Sequence, residues 1–422
     1  MRLIRNPLIE VVPDTALGLR LKVSLFGTAV SCTPLQASLL DLFIKPHSLD
    51  DVCAEQPRAR SARPFLERCR TEHLLVPVDE RNRAILPDTA RPEGVSFLGA
   101  PSMAAAALLD VDLTFAFVGI PWDRDVTGRP GARFGPSAVR AAAAAWSFGL
   151  DPISRKPAGF FDYGRQDRIL EGVGFADVGD VLSLPGDSAD VVRARMSRAV
   201  QHIVDAGAVP LVVGGDHSIT RPVLTGVIDA LRALDNHDPI CIVHFDAHTD
   251  LGDANVDDAG RLGLHHGNVM SIILEECSRV ERIVQIGLRG LIKHPHNAVD
   301  DRVVSFGVDQ IDDLEAILSA IPEDAACWFS VDIDVVDPAF APSTGTPVPG
   351  GLMPRELWKL VEGIARTRVC LGMDVVEVAE PLSPHDGTAG VAATCLMRFC
   401  RAMVEAERAA GEDDDDLATA DE

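Results

Sequence analysis

The feature that most restricts the fold of this chain is a repeated unit. A short aliphatic run ends abruptly in polar residues, and an amphipathic or alanine-rich stretch of helical period follows. From about residue 110 the aliphatic runs are Leu113–Ile120, Val209–Val213, Ile240–Phe245, Arg282–Leu288, Val303–Phe306, Trp328–Ile333 and Arg368–Val375. Helical segments such as Asp190–Ala206, Arg221–Leu234 and Pro354–Thr367 lie between them. Near-continuous apolar strands alternating with helices imply an α/β domain, its mostly parallel sheet covered on both faces. Ligands of such sheets bind beyond the carboxyl ends of the strands. The unusual polar residues of this chain fall there.

Composition narrows the partners. The chain has 422 residues, of which 47% are hydrophobic, ample for one large core and a small second domain. A net charge of −24 repels nucleic acid and anionic lipid and attracts cations. No apolar stretch is long enough to span a bilayer, and the opening MRLIRNPLIEVVPD lacks a signal-peptide core. Nine cysteines are scattered without a CxxC pair, and Cys241, Cys327 and Cys370 lie inside apolar runs. They read as free thiols of a reducing compartment, so the expected location is the cytoplasm.

Residues 1–95 follow another pattern. Leu21–Phe26 alternates like a strand; Pro34–Ile44, a segment opening at Ser48 with Ser48 or Asp50 as its cap, and Ala62–Glu72 have helical spacing; residues 73–86 read as a small wing or hairpin. In pattern this resembles a PqqD-like winged-helix module, one that holds a peptide or leader peptide. A helical extension that caps the main domain or makes an oligomer contact is the plainer reading. Residues 88–102 form the natural linker, 96–408 the main domain, and the acidic tail 409–422 is expected to be disordered.

Three strand ends carry the chemistry. LVVGGDHS (residues 211–218) brings His217 after a glycine pair. IVHFDAHTD (242–250) spaces Asp246, His248 and Asp250 by two, so an extended backbone points them to one side. FSVDIDVVDP (329–338) does the same for Asp332 and Asp334. Four carboxylates at one sheet edge repel each other unless cations neutralise them. Four Asp and two His fit a pair of divalent ions, and the carboxylate share favours Mn²⁺, with Zn²⁺, Ni²⁺ or Fe²⁺ fitting the same donors. His244 has the right parity but lies one pleat inside the sheet, as a satisfied core histidine would.

GGDHS, DAHTD and SVDIDVVDP resemble the signature segments of the arginase/agmatinase (ureohydrolase) family, and PGARFGPSAVR (130–140) is similar to its early segment. The resemblance covers roughly residues 97–408. It implies a three-layer α/β/α fold, two divalent ions (Mn²⁺, with Ni²⁺ as an alternative), and ligands at His217, Asp246, His248, Asp250, Asp332 and Asp334, with Asp246 and Asp332 bridging. It also implies hydrolysis of a guanidino compound to urea by hydroxide bridging the ions, with a trimer or hexamer as the assembly. Glu377, in DVVEVAEP, matches the family's guanidinium-binding Glu. Asp250 can hydrogen-bond the attacking hydroxide as well as bind metal. His266, in LHHGN, aligns with the proton shuttle and contacts substrate, and His265 is its rival. Trp122, Asp123 and Arg129 lie in the loop that borders the pocket in the family, and Trp122 is taken as a substrate contact.

Substrate choice is less constrained. Arginases grip the amino-acid carboxylate with an Asn two residues after DAHTD, where this chain has Gly252. Agmatine, a guanidino acid, guanidine and peptidyl arginine all fit, with Asp253 or Asp257 available to a second cation. Alternatives are a peptide arginase making ornithine with its N-terminal module on the peptide, another metallohydrolase chemistry such as deacylation, and a non-catalytic metal-binding regulatory protein.

Overall fold

The computed structural model describes residues 1–23, 26, 28–78, 87–90, 94–105, 108, 113–146, 149–150, 156–252, 255–256, 262–291, 300–383 and 387–420. Two units result, Met1–Arg91 and Pro92–Glu422. Among the described residues no helix is long and apolar enough to cross a membrane.

The first unit has its own core, built on Leu3, Leu21, Val23, Val30, Phe43, Leu66 and Leu75. Its strands are β1 (Arg2–Arg5), β2 (Glu10–Asp14), β3 (Gly18–Val23), β4 (Thr28–Cys32), β5 (His47–Ser48) and β6 (Leu75–Pro77). β2, β3 and β4 form one antiparallel sheet, and β5, β1 and β6 another. Helix α1 (Pro34–Ser38) starts at a capping box, in which the Thr33 hydroxyl accepts the Gln36 N–H and Gln36 accepts the Thr33 N–H. The single helix expected over 34–44 tightens after Ser38 into a 3₁₀ turn over Leu39–Phe43. α2 (Leu49–Glu55) is capped by Ser48, and α3 (Pro57–Ser61) and α4 (Arg63–Thr71) follow. β1, β2 and β4 are strands that the sequence reading does not contain. Within the expected wing, Leu75–Pro77 is a strand that pairs with Arg2–Arg5, and residues 79–86 lie outside the described set.

The second unit is a three-layer α/β/α domain. The parallel strands of its main sheet are β7 (Phe115–Gly119), β8 (Phe175–Val181), β9 (Val209–Val213), β10 (Ile240–Phe245), β11 (Val280–Leu288), β12 (Val303–Gly307), β13 (Ala326–Asp332) and β14 (Cys370–Val376). These eight lie in the order β12-β11-β10-β13-β14-β9-β7-β8, and every pairing among them is parallel. Alternation along β10 shows the double burial. Cys241, Val243 and Phe245 face one core, with α5 (Gly135–Ala143), α9 (Leu314–Ala320), α10 (Pro354–Ala365) and α11 (Thr388–Ala420). Ile240 and Ile242 face the other, with α6 (Ala189–Asp205), α7 (Thr220–Ala233) and α8 (Val269–Glu276).

β8 is absent from the sequence reading because FADVGDV breaks its apolar run with two aspartates. Asp177 is nevertheless fully buried. It accepts both Nε (2.8 Å) and Nη2 (2.9 Å) of Arg140, itself buried on α5, and Arg140 also reaches Asp180 at 2.6 Å. The Arg140 of the PGARFGPSAVR segment therefore locks a helix to the sheet. At the other end, α11 continues to Ala420 through the stretch expected to be disordered.

Candidate active site

The four strands whose ends hold the chemistry are neighbours. β10, β13, β14 and β9 are adjacent at the centre of the sheet, so their carboxyl ends open side by side. After β9, Gly214 and Gly215 let the chain pass close to the loop that follows β7. A Cβ on Gly215 would lie 1.5 Å from the Trp122 carbonyl oxygen. Asp216 then caps the 3₁₀ turn His217–Ile219.

Convergence comes from turns rather than from pleat parity. β10 ends at Phe245, and Asp246–Asp250 curl back as the His248 N–H donates to Asp246 Oδ1 at 2.6 Å. Asp250 adopts φ 49°, a left-handed conformation uncommon outside glycine. Asp332 ends β13, and Asp334 is brought round by a 3₁₀ turn in which its N–H donates to Asp332 Oδ1 at 2.8 Å.

Two groups of donors result. His217 Nδ1 lies 3.3 Å from Asp246, 3.0 Å from Asp250 and 3.5 Å from Asp332. His248 Nδ1 lies 3.4 Å from Asp246 and 3.1 Å from Asp334. Asp246 belongs to both, with Oδ2 toward His217 and Oδ1 toward His248. Asp332 meets His217 alone in this arrangement. His217, His244, Asp246 and Asp250, and separately Asp246, His248 and Asp334, offer ligand atoms within 4.8 Å of one another. The centre carries excess negative charge. Burial, then Asp334 and Asp246, push Asp332 well above the usual carboxylate range. Burial and Asp246 push Asp334 up to about 6.

The imidazole of His217 is held from below. Its Nε2–H donates to Ser330 Oγ at 2.9 Å, and Ser330 donates to Asp374 at 2.7 Å. Asp374 also takes the Trp328 indole N–H at 2.7 Å. Nδ1 is left buried with no hydrogen-bond partner and faces the carboxylates of Asp246, Asp250 and Asp332. A cation fits that arrangement of donors. The sequence reading missed Ser330 and Asp374; an Asp inside the apolar run of β14 was the available signal.

Glu377 stands beside this centre at φ 62°, again left-handed. Its Oε1 accepts the His217 N–H and the His266 Nδ1–H, both at 3.0 Å. Its Oε2 is buried without a partner. His266 Nε2 accepts the Thr127 N–H at 2.9 Å, with the Thr127 hydroxyl at 2.6 Å. The Thr127 N–H can only donate, so this geometry holds the neutral ring, with its proton on Nδ1 toward Glu377 and its Nε2 lone pair toward Thr127. Burial opposes protonation of His266, but Glu377 outweighs it and raises the pKa. His265 instead closes the turn before α8, its N–H donating to Asn268.

A cleft of about 390 Å³ opens over these groups, lined by Thr127, His248, Asp250, Gly252, His266, Arg289 and Asp332 among others. Glu377 is buried, is not among the cleft-lining residues described, and is hydrogen-bonded to the lining residue His266. Arg289 is no free cation, because its N–H groups go to the carbonyls of Gly287, Asp334, Val335 and Val348. Trp122 is not among the cleft-lining residues described. It is buried in an apolar cluster and donates its indole N–H to Asp125 at 2.8 Å, which pins the loop. Asp123 ties the same loop by accepting from Gly131 and Arg133, and Arg129 clasps the carbonyls of Thr344 and Gly345. Asp253 and Asp257 lie outside the described residues.

Comparison with known proteins agrees with this geometry. The model of the arginase family matches residues 113–401. A mitochondrial agmatinase of Gallus gallus is 35% identical over 323 residues, covering 74% of this chain and 86% of its own. A guanidinopropionase of Pseudomonas aeruginosa is 34% identical, covering 74% and 92%. Among solved structures, proclavaminate amidino hydrolase from Streptomyces clavuligerus superposes with a TM-score of 0.59 at 30% identity, over 74% of this chain and 98% of that one. Sheet order, donor cluster and sequence agree, and the chain is a ureohydrolase of the arginase family.

Proposed function

We propose that this chain hydrolyses a small guanidino compound to urea, using two divalent cations held by His217, Asp246, His248, Asp250, Asp332 and Asp334. Mn²⁺ is the first candidate and Ni²⁺ the second. The observation that carries the reading is Glu377, which leaves one buried carboxylate oxygen unpartnered beside six metal donors. Divalent cations in such a cluster acidify water and so supply a nucleophile at neutral pH. The chain's own residues do the rest. Glu377 Oε2 pairs with the guanidinium and orients its carbon. Asp250, at the edge of the cleft, hydrogen-bonds the attacking group. His266, exchanging a proton through Nδ1 or through Nε2 at Thr127, delivers it to the departing amine.

Gly252 bears on the substrate. A Cβ there would meet the Gly267 carbonyl oxygen at 2.6 Å, so no Asn can occupy the position unless the backbone beside His266 moves. This disfavours free L-arginine and leaves agmatine, guanidino acids, guanidine and peptidyl arginine. Urea release with added Mn²⁺ or Ni²⁺ across those four classes tests the proposal. Release from one of them is expected, and none from any would refute it.

A second reading adds a peptide partner. β2 and β4 flank β3 and pair on one side only among the described residues. An extended peptide can join such an edge, which would make the chain a peptide arginase converting arginine to ornithine. Turnover of peptidyl arginine far above that of agmatine would support it. Nine free cysteines fit a cytoplasmic setting, and the trimer or hexamer is open to a mass measurement in solution.

A further inference from the structure

Asp246 is the carboxylate that faces both donor groups, and each of its oxygens takes one hydrogen bond from the protein. Oδ1 accepts the His248 N–H at 2.6 Å. Oδ2 lies 2.9 Å from His244 Nε2. His244 is fully buried on β10, and its Nδ1 lies 3.0 Å from Gln285 Nε2 on β11. Gln285 is fully buried as well.

The direction of each bond in this chain is fixed. The Thr249 carbonyl can only accept, so the Gln285 atom 2.6 Å from it is the amide nitrogen. The amide oxygen accepts the Ser305 hydroxyl at 3.1 Å. An amide N–H therefore meets His244 Nδ1, which must present its lone pair. The His244 proton is then on Nε2, donated to Asp246 Oδ2. Both nitrogens of His244 are committed, so it is no ligand despite lying within the 4.8 Å donor group.

We propose that Ser305, Gln285 and His244 form a buried tautomer-fixing chain whose task is to orient Asp246 across the two cation positions. With one protein hydrogen bond on each oxygen, Asp246 keeps lone pairs on both for cations. Without the His244 N–H, Oδ2 loses its anchor and the carboxylate can turn both oxygens to one side. His244 is thus a positioning residue for the metal centre. The inference rests on the two-cation reading given above.

The test uses the full chain, stripped of metal and titrated with Mn²⁺ against a chelator. His244→Leu removes the donor and fills the apolar strand. Gln285→Leu removes only the tautomer control. His244→Leu is expected to weaken Mn²⁺ binding about 10- to 100-fold and to lose the exchange-coupled dimanganese resonance. The metal-free protein should keep its secondary structure and Tm. Gln285→Leu should give a smaller loss of the same kind. A residue that merely fills the core would lower the metal-free Tm and leave the coupled spectrum alone. A folded His244→Leu protein with wild-type Mn²⁺ affinity and coupling overturns the proposal. If the leucine variants fail to fold, His244→Gln decides, since it retains a donor N–H. Recovered affinity supports the proposal, and binding as weak as that of metal-stripped Asp246→Asn overturns it. Wild-type protein that takes up no Mn²⁺ would overturn the two-cation reading and this inference together, whereas loaded wild type with an unchanged variant sinks this inference alone.

Discussion

At the scale of residues, the proposed function assigns metal holding and substrate holding to different side chains. Asp246→Asn or His248→Ala removes a donor from the centre, and both should abolish metal uptake and turnover together. Glu377→Gln should keep its metal, because the Glu377 side chain hydrogen-bonds the backbone N–H of His217 and not its imidazole. Losing the buried charge partner of a guanidinium costs about 2–5 kcal/mol, so kcat/KM should fall on the order of 10²-fold or more. Metal analysis beside steady-state kinetics separates the two outcomes. A Glu377→Gln enzyme with unchanged kcat/KM would remove the substrate-gripping role.

The His266–Glu377 pair also predicts a pH dependence. The folded pKa of His266 is raised above its unfolded value, so folding takes up protons. The pair's stabilisation is therefore fully present below about pH 6.5 and is lost as pH rises through the folded value. Urea midpoints of metal-free wild type and Glu377→Gln should differ most in that acidic range and converge as the pH rises. A difference that grows with pH would contradict the pairing. At Gly252 the prediction is steric. Gly252→Asn should not create arginase activity but should displace Gly267 and its neighbour His266, lowering kcat on the original substrate by about 10²-fold. Kinetics with L-arginine and with that substrate read both parts.

At the scale of elements, the sequence was most legible where a strand is apolar throughout and ends on charged residues. β9, β10, β13 and β14 are of that kind, and they carry the six proposed metal donors and Glu377 at or just beyond their ends. β8 was hidden because the stability of Asp177 depends on Arg140, 37 residues earlier, and no local pattern reports such a pair. Trp122 was misplaced for a related reason. A large aromatic in a loop near the site suits a substrate contact or a buried anchor equally, and Asp125 settles it as an anchor. The residues of the DxHxD and DxD spacings do come together, but through turns just past their strands and not through pleat parity. Gly215 gives this scale its prediction. Gly215→Ala would drive a Cβ into the Trp122 backbone, an overpacking that costs at least roughly 1–3 kcal/mol. A lowered Tm and reduced metal content are expected; a fully loaded, equally stable variant would argue against the close packing of the two loops.

At the scale of the whole molecule, charge and metal stoichiometry are decisive. A chain of net charge −24 attracts a cationic substrate over a distance limited by salt. For agmatine, kcat/KM should fall as ionic strength rises, and by more than for a zwitterionic guanidino acid. A flat salt profile for agmatine would show that the field does not reach the cleft. The order of the parallel strands and the crowding of Asp246, Asp250, Asp332 and Asp334 around His217 support the proposed pair of divalent cations. Elemental analysis of purified, active protein tests it most directly. Two divalent ions per chain are expected, falling to one or none in Asp246→Asn, and full urea-releasing activity in protein that holds none would contradict the account.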